Sequence, residues 1–271
     1  TPDVVLNSNN LTICSGDNFS ANLSSSVQGT NFYWVYTSGN TNGGISDTGL
    51  TINQQLFNNS NSSISSASYQ ITPIANGCFG SPSNLSVNVK PKPIISSIVQ
   101  DSAICSGQSI NITYSSSVSG TNLYSWSTST SGTISGNQAQ SNPSTNNQVF
   151  SNILNSGTNS QFVFYFTSLS NSGCVANTKK DSVLINPLPA VNAGPNLNLC
   201  SGSTNTIGLN SGNNLNYSWT PSNGIADTSQ NPATINLSNN GLSIFNQIYT
   251  LTSIDTLTGC FNQDTTTVFI F

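Results

Sequence analysis

Apolar residues in this chain fall on alternate positions, in short runs, and the same runs recur. Phe19, Ala21 and Leu23 alternate with polar residues, as do Phe32, Trp34 and Tyr36, then Tyr69 and Ile71, then Leu85, Val87 and Val89. Period-two alternation predicts strands with one buried and one wet face. Clusters of Gly, Asn, Ser and Pro separate the runs, as turns require. No amphipathic stretch of useful length predicts a helix.

The runs repeat with their landmarks in fixed order. The stretch Cys105–Pro189 carries Ile-Cys-Ser-Gly at 104–107 and Leu-Tyr-Ser-Trp at 123–126. Phe-Tyr-Phe-Thr follows at 164–167, Gly-Cys at 173–174 and a Pro-Leu-Pro linker at 187–189. Upstream, Ile13–Gly16, Trp34, Tyr69–Thr72, Gly77-Cys78 and Pro91-Lys92-Pro93 match it. Downstream, Leu199–Gly202, Trp219, Tyr249–Thr252 and Gly259-Cys260 do. One module written three times predicts domains at 1–92, 93–188 and 189–271. In the middle repeat we align Phe164 and Phe166 with the Tyr69 strand.

About seven short strands per module predict an all-β chain of three tandem two-sheet sandwiches of the immunoglobulin-like kind. Each should bury one tryptophan, Trp34, Trp126 or Trp219, at the centre of its core, because Trp is bulky and mostly buried. Proline linkers restrict the chain and act as semi-rigid spacers. The modules should therefore stand end to end as an elongated array.

Six cysteines occur two per repeat: Cys14 and Cys78, Cys105 and Cys174, Cys200 and Cys260. Self-contained modules would pair them internally, in that order. Because the cysteines lie at module edges, such bridges would tie loops or termini and not pin the two sheets through their centre. Disulfides place the chain in an oxidising, extracellular setting. A thiolate zinc site would need closely spaced pairs with His support, and the chain has no His.

Composition narrows the function. Charged residues are 4%, with four Lys, eight Asp, no Arg and no Glu, and the net charge is −4. That surface excludes nucleic acid, which needs a basic footprint. No apolar run approaches the ~20 residues of a membrane span. No signal peptide is visible, and we expect a mature piece of a larger polypeptide whose other parts are its first partner. Without His, Glu or Arg, and with its acids scattered, the chain lacks the inventory of an enzyme, and no cofactor is expected. Asp47 and Asp227 recur at equivalent places, but turn support explains them better than calcium does. Tyr33 and Phe261 do not fall clearly on a core face and are weak candidates for a sugar platform.

The order Cys-Ser-Gly, aromatic-x-Trp, aromatic-x-apolar-Thr, Gly-Cys and Pro-x-Pro resembles the PKD-like and Ig-like repeats of Bacteroidota surface proteins. The resemblance covers nearly the whole chain. It implies very long proteins exported by type IX secretion, such as the SprB-type adhesins of gliding motility. On it, the chain is expected to be a non-catalytic stalk or spacer of a cell-surface adhesin. The alternatives are modules that bind surface glycans or other cell-surface proteins, or the accessory region of a secreted enzyme. Asp-Ser/Thr-x sequences at Ser102, Ser182, Thr256 and Thr265 look like that phylum's signal for O-glycosylation.

Overall fold

The computed structural model describes residues 1–241 and 243–271. Strands and turns make up the described residues, and no helix is long and apolar enough to cross a membrane. Three hydrophobic cores form in series, and each contains one of the tryptophans.

Each module has a main sheet built to one plan. In the first, the strand order is Asn10–Cys14, Ser83–Lys90, Ser65–Ala75, Asn31–Gly39, Asp47–Gly49. The second runs Ala103–Cys105, Lys179–Asn186, Gln161–Asn171, Asn122–Thr130, Gln140–Ser144. The third runs Leu197–Leu199, Phe261–Ile270, Phe245–Asp255, Leu215–Thr220. Neighbours are antiparallel, except that the first strand of each sheet pairs in parallel with the last. The facing layer is smaller: Asn18–Asn22 with Thr51–Gln55, then Ile95–Val99, Ser109–Ser116 and Gln148–Asn152, then Thr204–Ile207 with Ala233–Asn236. The alternation noted in the sequence is the burial alternation of these two layers.

The long central strands carry the clearest case. Along Ser65–Ala75 every second residue is buried, including Tyr69 and Ile71. Phe245–Asp255 buries Tyr249, Leu251 and Ser253 in the same phase. The middle repeat corrects our alignment by one residue. In Gln161–Asn171 the buried set is Val163, Tyr165, Thr167, Leu169 and Asn171, and Phe164 and Phe166 face outward. Tyr165, not Phe164, is the counterpart of Tyr69, and a one-residue slip moves every side chain to the other face.

The tryptophans are seated identically. Trp34 Nε1 donates to the carbonyl of Ile45 at 3.1 Å, Trp126 to Gln138 at 3.1 Å and Trp219 to Gln230 at 2.9 Å. Burial of an indole leaves its N–H in need of an acceptor. The loop after the Trp strand supplies it in all three modules.

Candidate functional site: the junctions between modules

The sheet plan fixes where the cysteines stand. Cys14 lies opposite Lys90, at the end of the sheet where the chain leaves the module, and Cys105 lies opposite Asn186 in the same way. A Cys-Ser-Gly turn follows. Gly16 and Gly107 both take φ +89°, a left-handed conformation that suits glycine.

The second cysteine stands at the other end. Ala75 faces Cys78 across a tight hairpin whose central residues, Asn76 and Gly77, both have positive φ. That is the two-residue turn that matches strand twist. Ser172-Gly173 repeats it before Cys174. The third module reaches Cys260 by a longer turn, closed by the Gly259 N–H on the Asp255 carbonyl at 2.8 Å.

About ten residues of strand therefore separate the two cysteines of a module, roughly 34 Å at the rise of an extended chain. A disulfide needs Cα atoms within ~7 Å. The expected internal pairs Cys14–Cys78, Cys105–Cys174 and Cys200–Cys260 are ruled out by the length of the sheet. The bridges run instead from Cys14 to Cys174 and from Cys105 to Cys260, each with Cα atoms 5.6 Å apart. The first cysteine of one module is joined to the second cysteine of the next. Cys78 and Cys200 are unpaired and exposed. The modules are thus not independent blocks on a spacer. Each junction is fastened twice, by its linker and by a disulfide.

Other contacts at the junctions are few. Lys90 Nζ donates to the Ser172 carbonyl at 2.8 Å, from the end of the first module to the hairpin of the second. Asn262 Nδ2 donates to the Pro189 carbonyl at 3.1 Å, holding the second linker against the third module. Beside the Cys105–Cys260 bridge, a cleft of about 460 Å³ is lined by Gln108, Leu188, Phe261 and Gln263.

The other candidates do not converge. Tyr33 is exposed in the first module, whereas Phe261 is exposed beside the cleft at the second junction. Asp47 accepts from the Thr48 N–H and Asp227 from Ser229, each within its own turn. The Ser229 hydroxyl and N–H hold the Asp227 carboxyl below the usual carboxylate range. Among the described residues no three His, Cys, Asp or Glu lie close enough to hold a metal ion. Ser102, Ser182, Thr256 and Thr265 are all exposed, and the Thr256 hydroxyl donates to the Asn214 carbonyl at 3.0 Å.

One surface escaped the sequence reading because of the phase error in the middle repeat. Phe162, Phe164 and Phe166 form a row on the outer face of the second module, with Phe162 stacked on Phe164 at 5.8 Å. Lys180 Nζ sits over the Phe164 ring, 4.3 Å from its centroid. Three aromatics at spacing two signal such a row once the strand's phase is known.

A family model described as PKD-like domain matches residues 11–93 and again 102–189, together more than half of the chain. No curated protein matched the sequence. Among solved structures, the human desmocollin-1 ectodomain aligns at 9% identity and a TM-score of 0.35, over 100% of this chain and 61% of that one. The chain thus spans less than two thirds of the desmocollin-1 chain. Human CDH23 EC21-23 aligns at 13% identity and a TM-score of 0.35, over 98% of this chain and 99% of that one. Mouse cadherin-23 EC22-24 aligns at 11% and 0.31, over 97% and 95%. At such scores the chains superpose only loosely.

Proposed function

We propose, from the premise that this chain belongs to the PKD-like domain family, that it is a non-catalytic, tension-bearing stalk segment of an extracellular protein. The observation that carries this reading is the interlacing of the two disulfides. Cys105 lies inside the loop closed by Cys14–Cys174, and its partner Cys260 lies outside it. A covalent route from end to end can pass through either bridge. Through Cys14–Cys174 alone it includes about 110 residues, and through Cys105–Cys260 alone about 115, so fully unfolded chain would reach about 390 Å on either route; with both bridges intact the shortest route crosses both, includes about 95 residues and reaches about 330 Å. Without bridges the 271 residues would reach about 950 Å. Loss of either bridge lengthens the limit only from about 330 Å to about 390 Å, because the other still bypasses most of the chain, which suits a part that must survive pulling.

Single-molecule stretching tests this. The oxidised chain should stop at about 330 Å. Cys14→Ser with Cys174→Ser should lengthen this by roughly a fifth, to about 390 Å, because the other route remains. Only loss of both bridges should release the full contour. Lengthening far beyond about 390 Å on loss of one bridge would overturn the reading.

The finer assignment is a segment of a long cell-surface adhesin of the Bacteroidota gliding kind, with exposed Asp-Ser/Thr-x sites glycosylated. It is supported by the landmark order and by the chain's lack of His, Glu and Arg. The intact mass of native protein tests the glycans, since an unmodified mass removes them. A second reading, binding of sugar by the modules, is favoured by the Phe162–Phe164–Phe166 row. Stacking on sugar would be lost in Phe164→Ala, read by glycan-array binding.

A further inference from the structure

The two bridges are the same bond made twice, and the chain carries both halves of a third. Cys200 occupies in module three the place of Cys14 and Cys105. In the first turn Ser15 N–H donates to Lys90 O at 2.9 Å, Gly16 to Leu56 O at 2.8 Å and Asp17 to Cys14 O at 3.0 Å. In the second, Ser106, Gly107 and Gln108 donate to Asn186, Ile153 and Cys105 at 2.8, 2.7 and 3.0 Å. In the third, Ser201, Gly202 and Ser203 donate to Phe271, Leu237 and Cys200 at 3.0, 2.8 and 3.0 Å. The backbone scaffold that aims two cysteines at a neighbouring module recurs around Cys200; only the side-chain clasp differs, since Asp17 and Gln108 accept from the N–H of Cys14 and Cys105 whereas the Ser203 hydroxyl donates to the Cys200 carbonyl.

Cys78 is the other half. It sits on the same two-residue hairpin as Cys174. Cys174 and Cys260, both bridged, are 1% and 0% exposed, whereas Cys78 is exposed. The docked neighbour is what accounts for the difference. We infer that the Cys200 end and the Cys78 end are complementary docking surfaces, and that each takes a further PKD-like module of this kind, head to tail, with a Cys200–Cys78-type disulfide as the seal. A head-to-tail contact does not close on itself, so it can continue as a series. The Lys90–Ser172 contact does not recur, since Phe271 stands where Lys90 does, and the cysteine pair is the constant element.

The seal forms by thiol–disulfide exchange. The Cys200 thiolate attacks an oxidised small disulfide such as glutathione disulfide, forms a mixed disulfide and expels one glutathione thiolate. The Cys78 thiolate of the next module attacks the Cys200 sulfur and releases the second. The two protons of the protein thiols end on the two glutathione thiols, and the oxidant's disulfide takes the two electrons.

A second copy of this chain is the probe, because it carries both surfaces. The variant Cys78→Ser keeps only Cys200, and Cys200→Ser keeps only Cys78; both positions are exposed, so both variants should fold. In a glutathione redox buffer each alone should stay monomeric. Their mixture should give a band at twice the 28.4 kDa chain mass, with Cys78 linked to Cys200 by non-reducing peptide mapping. The unaltered chain should give a ladder. Symmetric dimers of either variant in yields equal to the mixture, or no linkage in the mixture, would overturn the inference. The stretching experiment concerns only the two existing bridges, so either result can fail without the other.

Discussion

The interiors of the modules and the junctions between them are held by different forces. Inside, each sandwich has a Trp, a fully buried Tyr and a set of β-branched and Leu residues, and no disulfide crosses it. At the junctions a covalent bond stands beside very few polar contacts. The difference teaches that cysteines repeated in a module need not stabilise that module. Here hydrophobic burial makes each block, and oxidation makes the series.

The largest effect should separate the two. Cys105→Ser with Cys260→Ser removes a cross-link closing about 155 residues, worth about 5 kcal/mol against unfolding of both linked modules in the chain-entropy model, and reduction removes both bridges. Urea midpoints of the variant against the unaltered chain measure the first, and midpoints with and without reductant the second. The β signal in far-ultraviolet circular dichroism should persist after reduction without urea; its collapse would show that the cores do not stand alone. Next, Trp219→Ala acts on one interior and should cost about 3–5 kcal/mol. Hydrogen exchange should place that loss in residues 189–271, leaving modules one and two protected.

Much of this was legible in advance, and the failures share a physical origin. Three blocks and their tryptophans follow from period-two alternation and from spacing, which are local. The cysteine partners are not local. Repeat symmetry permits pairing within a block or with the next one, and internal pairing has the appeal of using all six. Only strand direction decides between them. Cys14 ends a strand parallel to the module's last, whereas Cys78 follows the hairpin at the opposite end of the sheet. Tracing that parity would have put the two roughly a strand's length apart. The Phe164 error is the same fault in miniature: six aromatic or β-branched residues in a row, Phe162 to Thr167, hide the phase that Ser and Gln mark in Ser65–Ala75.

Alkali should strain the interiors. Burial pushes the hydroxyls of Tyr114 and Tyr249 up to about 12, and that of Tyr69 further still. A folded value raised above the unfolded one means that stability is complete below about pH 10 and is lost as pH rises toward 12. Each such tyrosine should withdraw about 2–3 kcal/mol across that window. Melting temperature against pH should fall there in Tyr249→Phe less steeply than in the unaltered chain. Equal slopes would mean that Tyr249 does not titrate with unfolding.

The smallest effect belongs to an exposed edge. Asp3 accepts from the Ser25 hydroxyl at 2.7 Å, the Ser26 hydroxyl at 2.8 Å and the Ser26 N–H at 2.7 Å. These donors, the Ser25 hydroxyl first, lower its carboxyl to about 2. Because the folded value is depressed, the contribution is present above the ordinary 3.8 and disappears as pH falls toward 2. Solvent screens so exposed a group, so its loss should barely move the melting temperature. It should instead free the first residues from the Ser24–Ser26 turn, where the Val5 N–H also bonds the Ser24 carbonyl at 2.7 Å. Amide exchange at Val5 and Ser26 should quicken between pH 4 and pH 2 relative to Asp3→Asn at the same pH. If both chains exchange alike, the carboxylate does not pin the edge, and even the exterior of the first module is held by burial alone.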